Sequence, residues 1–242
     1  MIPARYASTR FPFKLMQLLG DKTVIRHTYE NTVATQLFDE VIVVTDSDII
    51  YDEIQKYGGN AVMSKKEHEC GSDRIAEAAE NIEADVILNV QGDEPFINKP
   101  ALAALINVFG DTENHVSLAS LMKKITDSSL ILDPNCVKVV VDKNMNSLLF
   151  SRSAIPYHRD KEIQPNYYEH IGVYAFRKET LMNFTKWAVT PLEAIEKIEC
   201  LRYLENGVPL RMVITEEASA KIDVPEDLDK AKIFLAKLNT SK

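Results

Sequence analysis

The chain has little cysteine, no long apolar run, no excess of basic charge and no G-x-G-x-x-G loop. Its three cysteines, Cys70, Cys136 and Cys200, are odd in number and widely spaced, with no C-x-x-C pair. Neither a disulfide framework nor a zinc site is suggested, and a reducing, cytoplasmic setting fits best. No apolar stretch approaches the ~20 residues needed to span a bilayer, and no signal-peptide pattern opens the chain, so membrane insertion is not expected. The formal net charge of -8 at pH 7 speaks against a nucleic-acid partner, which needs a broad basic face. The missing glycine loop sets aside a nicotinamide-linked dehydrogenase. There is no internal repeat and no low-complexity linker.

What is present is an ordinary globular composition, 45% hydrophobic and 26% charged over 242 residues. That length suits one large α/β domain or two small ones, with a sizeable core. We read one domain over residues 1–242. Glu40 to Thr45 and Asp85 to Val90 are nearly continuous apolar runs, as in strands covered on both faces. Asn60 to Met63 is a shorter strand, and Asp48 to Tyr57 and Ser72 to Ile82 are helical. This alternation predicts a parallel sheet with flanking helices. The second half changes rhythm. Cys136 to Val141 and Ser147 to Phe150, joined by an Asn- and Asp-rich turn, read as an antiparallel hairpin. A strand follows at Ile171 to Phe176, then a helix from about Leu192 to Leu204 that stops at Asn206-Gly207. Arg211 to Thr215 is a last strand, and Pro225 opens the final helix. Residues 127–184 thus form an antiparallel excursion within the domain, suited to pairing with a second subunit.

The opening fourteen residues concentrate charge. Arg5, Arg10 and Lys14, with Ser8 and Thr9, fall in one loop without an acidic residue. Such a loop on an acidic chain needs an anionic target, and a triphosphate suits it, because Arg grips phosphate bidentately and Lys acts as a point charge. A merely solvated basic loop is the plain alternative. Only Met1 and Ile2 precede Pro3, few for a central strand of ~5 residues, so either the start lies upstream or the first strand is short. Gln91-Gly92-Asp93-Glu94-Pro95 follows a buried strand, where ligands sit in open α/β sheets. A hard carboxylate such as Asp93 there suits Mg²⁺, although the same residues are also turn formers. Asp223, before Pro225, is a second carboxylate, or else a helix-start residue. Cys70 to Arg74 opens a helix whose free N–H groups and Ser72 hydroxyl could hold a base edge or phosphate, or simply cap it. Arg152 follows a strand and His170 precedes one; each could meet an acidic substrate group or water.

Taken together, these segments resemble the 3-deoxy-manno-octulosonate (KDO) cytidylyltransferase family over almost the whole length. Pro3 to Pro12 with Lys14 is similar to the family's opening signature. Cys70-Gly71-Ser72-Asp73-Arg74 is similar to its S-G-[ST]-[DE]-R motif, and Asn89 to Pro95 to its N-[VL]-Q-G-D-E-P motif. Pro134-Asn135 with Val137 to Val140, Phe150-Ser151-Arg152, Ile155-Pro156, His170 to Tyr174, Pro191-Leu192-Glu193 and Asp223 with Pro225 to Leu228 follow in family order. The resemblance implies a Rossmann-like, mostly parallel sheet flanked by helices, of the nucleotide-diphospho-sugar transferase type, with an antiparallel dimerisation excursion. It implies an enzyme that joins CTP to KDO, an eight-carbon sugar acid, giving CMP-KDO and pyrophosphate for lipopolysaccharide synthesis. A degenerate, non-catalytic nucleotide-binding subunit of the same fold is the alternative. Residue by residue, it implies that Arg5, Arg10 and Lys14 hold the CTP phosphates and that Asp93 and Asp223 bind Mg²⁺, with Arg5, Lys14, Asp93 and Asp223 as the catalytic set. Ser72 and Arg74 would contact substrate, and Gln91, Arg152, His170, Tyr174 and Glu193 would face the sugar acid. A cytoplasmic homodimer is implied.

Several positions depart from the family pattern. Phe13 replaces a glycine before the loop lysine; a bulky residue there predicts a negative φ and a ring turned away from the nucleotide. Cys70 stands for a serine and Cys200 for a glutamine of the sugar side. Ser219 and Lys221 occupy glycine positions before Asp223. Val224 replaces a threonine N-cap, at a cost of ~1 kcal/mol.

Overall fold

The computed structural model describes all residues except Thr9, Glu69, 111–114, 217–220 and 241–242, and gives no side-chain account of 239 and 240. The expectations placed on Thr9 and Ser219 lie outside the described residues. The chain divides into two compact units. One comprises Met1–Glu83, Asn89–Leu102 and Ala218–Lys242, the other Ala84–Leu88 and Ala103–Glu217.

The first unit begins with β1 (Ile2–Ala4), a 3₁₀ turn at Lys14–Met16, and the short pair β2 (Leu18–Leu19) and β3 (Lys22–Thr23). Then come α1 (Val24–Ala34), β4 (Val43–Thr45), α2 (Asp48–Lys56), β5 (Ala61–Met63) and α3 (Gly71–Ala79). The strands β1, β4 and β5 are parallel neighbours in that order, with Ile2 opposite Val43 and Val43 opposite Ala61. β1 and β4 are buried at every residue, which is why their sequences run apolar instead of alternating. Ile2, Ile25, Val43, Ile50, Val90 and Ile222 share one core.

That core aims the chain segments at one end of the sheet. The N–H of Val90 donates to the carbonyl of Met1 at 3.0 Å, and the Thr28 hydroxyl of α1 lies 2.9 Å from the Gly92 carbonyl. Asn31 donates to the Pro95 carbonyl at 2.6 Å, so α1 holds both ends of the Gly92–Pro95 turn. A side chain at Gly92 would crowd the turn: a Cβ would come within 3.1 Å of the Pro3 carbonyl oxygen and 3.2 Å of Ile25.

The second unit takes most of β6 (Val86–Asn89) and of α4 (Lys99–Asn107), then β7 (Leu118–Lys124), α5 (Ser129–Leu132), β8 (Lys138–Val141), β9 (Ser147–Ser151) and β10 (Tyr168–Arg177). It closes with α6 (Lys178–Phe184), α7 (Pro191–Glu196), α8 (Leu201–Glu205) and β11 (Arg211–Ile214). Its sheet runs β11-β7-β10-β8-β9, with β6 also on β10. β7 pairs antiparallel with β10 and parallel with β11. The hairpin expected from the sequence is β8–β9, with Lys138 opposite Ser151. Asp142 accepts the N–H groups of Asn144 and Asn146, both at 2.8 Å, and so shapes its turn. The chain ends in the first unit with α9 (Pro225–Thr240), whose Leu228 and Ala231 join the first core. The mixed α/β fold with a parallel sheet and flanking helices is the one expected.

Two local expectations are corrected. The single helix expected from Leu192 to Leu204 is two helices, broken at Lys197, which adopts φ 54°. The cause is tertiary. Arg152 takes the carbonyl of Glu196 at 2.7 Å and that of Lys197 at 3.4 Å, the oxygens a continuing helix would use. The Glu196 carboxylate is meanwhile drawn to the Ser151 hydroxyl and the Arg152 N–H. His170, expected before a strand, lies inside β10, which begins at Tyr168.

Candidate active site

In the first unit, one open cavity gathers the predicted phosphate and metal residues. Arg5, Ser8, Arg10, Lys14, Arg74, Gln91, Asp93 and Asp223 all line it. The backbone joins its two acidic segments, since the Ile222 N–H donates to the Asp93 carbonyl at 3.0 Å. Their carboxylates meet on one ammonium. Lys14 Nζ bonds Asp93 Oδ2 and stands 3.0 Å from Asp223 Oδ1. Arg10 approaches the same Asp223 oxygen at 3.4 Å, and Lys221 lies 3.3 Å from Asp223 Oδ2. Arg5 is exposed, lines the cavity and makes no hydrogen bond or ion pair among the described residues.

These contacts set the charge state. Burial alone would raise the Asp223 carboxyl, but Lys221, Lys14 and Arg10 outweigh it and hold it at about 2. Asp93 is 8% exposed, and its Oδ1 is buried with no hydrogen-bond partner among the described residues. A buried carboxylate oxygen left unpaired costs free energy unless something binds it. Two hard carboxylates side by side, one with an unused oxygen, fit the donor set of Mg²⁺; these residues are suited to the ion that the resemblance implies.

The other predicted residues divide. Arg74 is 4% exposed and tied to Asp46 at 2.7 Å and to the Ser64 hydroxyl at 2.9 Å, so it reaches the cavity as a fixed wall. Gln91 lines the cavity, with its amide 3.4 Å from Asn89 Oδ1. Ser72 is fully buried at the second position of α3 and does not line the cavity. The N-cap is Cys70, whose thiol donates to Asp73 at 3.2 Å.

Arg152, His170, Tyr174 and Glu193 belong to the second unit. His170 Nε2 is 2.9 Å from the Ser120 hydroxyl, and its ring packs edge-on against Phe150 and Tyr174. Burial pushes the Tyr174 phenol well above its ordinary range, and the phenol hydrogen-bonds the Cys200 thiol. Glu193 is buried in a two-pronged pair with Arg202, at 2.7 and 2.6 Å. Arg152 spends its guanidinium on the carbonyls of Pro134, Glu196 and Lys197. Both charges are thus used inside the unit.

The departures resolve physically. Phe13 has φ 56°, not the expected negative value. Phe13 is the N-cap of the 3₁₀ turn that presents Lys14, and its carbonyl accepts from the Met16 N–H at 2.9 Å. The ring packs at a tilt against Tyr6, centroids 4.5 Å apart, and stays off the cavity. The cap missing at Val224 is supplied from within: Asp227 Oδ2 accepts the N–H groups of Asp223 and Val224 at 3.1 and 3.2 Å.

The cytidylyltransferase family model matches residues 1–218. A 3-deoxy-manno-octulosonate cytidylyltransferase of Flavobacterium johnsoniae is 55% identical over 236 residues, covering 97% of each chain. The chain belongs to the 3-deoxy-manno-octulosonate cytidylyltransferase family. The family's enzyme in Christiangramia forsetii is likewise 55% identical, over 98% of this chain and 96% of that one. A solved CMP:2-keto-3-deoxy-manno-octonic acid synthetase, in complex with CTP, superposes with a TM-score of 0.91 at 34% identity, over 98% of this chain and 97% of that one. Two further cavity residues are not marked as site residues by the sequence motifs. Lys221 departs from the family pattern, and its signal is a cation two positions from a carboxylate. His68, held by Glu77 at 2.5 Å, carries no such signal, because its partner is nine residues away on α3.

Proposed function

We propose that this chain transfers the cytidylyl group of CTP to 3-deoxy-manno-octulosonate, giving CMP-KDO and pyrophosphate for lipopolysaccharide synthesis. The observation that carries the reading is the meeting of Asp93 and Asp223 on Lys14, in a cavity that Arg5 and Arg10 also line. The 55% identity to named enzymes and the CTP complex of the structural neighbour support the same activity. The non-catalytic alternative draws no support, since every phosphate cation and both carboxylates are retained.

The anomeric hydroxyl of the sugar acid attacks the α-phosphorus of CTP; the bond to the β-phosphate breaks and pyrophosphate leaves in line. Arg5 and Arg10 bind the triphosphate, and Lys14 moves from the carboxylates to the phosphates as the nucleotide enters. Asp93 and Asp223 would hold Mg²⁺, which would offset phosphate charge and lower the pKa of an oxygen nucleophile. The fixed Arg74 wall limits reorganisation, so most of the rate comes from positioning and charge stabilisation. On the sugar side, Arg152 and Glu193 act as positioning residues through the contacts they already make.

A cytoplasmic homodimer completes the reading. All three cysteines are free, and no helix among the described residues is long and apolar enough to cross a membrane. Within residues 127–184, Leu132, Leu148 and Tyr157 are 79%, 63% and 85% exposed, apolar surface that pairing would cover. Sedimentation at micromolar concentration should show a dimer; a monomer overturns that part. For the reaction, KDO carrying ¹⁸O at its anomeric hydroxyl should leave the label bridging sugar and phosphorus. Its loss to water would show that the sugar oxygen is not the nucleophile.

A further inference from the structure

Lys221 is the least expected member of the cavity. Its ammonium is 3.3 Å from Asp223 Oδ2, on the side of the carboxylate that Lys14 and Arg10 leave open. Both oxygens of Asp223 are therefore occupied by cations, while Asp93 Oδ1 has none among the described residues. Lys14, Lys221 and Arg10 gather on Asp93 and Asp223, with the Glu94 carboxylate also acting on Lys221, and all three cations line the same open cavity. A cation on a long stem that lines an open cavity is suited to an arriving anion. The Lys221 side chain is 47% exposed, against 15% for Lys14. Its four-carbon stem can swing without disturbing the core.

We infer that Lys221 is a second phosphate-binding cation of this site, parked on Asp223 until the nucleotide arrives and then moving to the triphosphate, so that Asp223 is freed for the metal by the substrate itself. The inference rests on the cytidylyltransferase reading and adds an ordering to it: without nucleotide, Lys221 competes with a divalent ion for Asp223; with nucleotide, it assists. Replacing Lys221 should therefore move two affinities in opposite directions, a pattern that loss of structure does not produce.

The test compares the full-length wild type with Lys221→Met, Lys221→Arg and, as an exposed control of equal charge loss, Lys232→Met. Binding of Mn²⁺ alone to nucleotide-free protein is followed by electron paramagnetic resonance, and binding of CTP in EDTA by calorimetry. Lys221→Met should bind Mn²⁺ about threefold more tightly, the scale of one partly exposed ion pair. It should bind CTP about tenfold more weakly, the scale of one charged hydrogen bond. Lys221→Arg should restore both affinities toward wild type, and Lys232→Met should move neither. Unchanged affinities in Lys221→Met, or a weakening of both, overturns the inference. Failure of the underlying reading is distinct, since it appears as a wild type that does not consume CTP with KDO.

Discussion

Asp93 and Asp223, from segments far apart in the chain, share the ammonium of Lys14, and the Asp93 carbonyl accepts the N–H beside Asp223. The pairing is built twice, by backbone and by side chain. Neither carboxylate depends on a ligand to reach the other. The carboxylate pair is therefore preorganised by the backbone, and that placement does not depend on where the Lys14 side chain turns.

Asp93→Asn keeps the shape of this site and removes one charge. It should lower kcat by about 10²-fold or more, the scale of losing one charge-stabilising group, with circular dichroism unchanged. Wild-type turnover in this variant would falsify the role given to Asp93.

The depressed Asp223 carboxyl makes a pH prediction. Its folded value of about 2 lies below the ordinary 3.8, because Lys221, Lys14 and Arg10 outweigh the opposing effect of burial. A depressed carboxyl stabilises the fold above its unfolded value, and the contribution is lost as pH falls through the folded one. Between pH 3.8 and about 2, the urea midpoint of wild type should fall more steeply than that of Asp223→Asn. Parallel curves would contradict it.

Phe13 separates backbone demand from side-chain contact. In the left-handed region a residue with a Cβ carries roughly 1–2 kcal/mol of strain, which Phe13→Ala retains while losing the contact with Tyr6. Phe13→Gly loses the contact but also the strain. Urea unfolding should rank Phe13→Gly above Phe13→Ala by about 1 kcal/mol, with the CTP KM of Phe13→Gly no higher than wild type. A large rise in that KM would mean that the ring itself contributes to binding.

Cysteine reactivity maps the cavity. Burial, then Glu169, pushes the Cys136 thiol up to about 12, and burial raises Cys200 as well. Cys70 is partly exposed and lines the cavity. Iodoacetamide should label Cys70 alone in the native protein. CTP at ten times its Kd should slow that labelling about tenfold by mass action. Labelling indifferent to CTP would place the nucleotide elsewhere.

Much of this was legible in the sequence because it is written locally. Apolar runs gave the strands, Asn206-Gly207 marked the end of α8, and the motif residues Arg5, Lys14, Asp93 and Asp223 converge on one cavity. What was not legible is imposed from a distance. No local feature of Leu192 to Leu204 announces a break that Arg152 enforces by taking two carbonyls. The bulk of Phe13 predicts a negative φ, yet at the N-cap of the turn presenting Lys14 it adopts φ 56°. Arg152 and Glu193 looked free to meet substrate, and their partners became visible only in three dimensions.

The most direct measurement of the central claim is pyrophosphate release by the purified chain given CTP, KDO and Mg²⁺, with UTP and other sugar acids as competitors. The account predicts release that requires all three components, that favours CTP over UTP, and that collapses in Asp93→Asn. Release no greater than with CTP alone, or equal release with UTP, would contradict it.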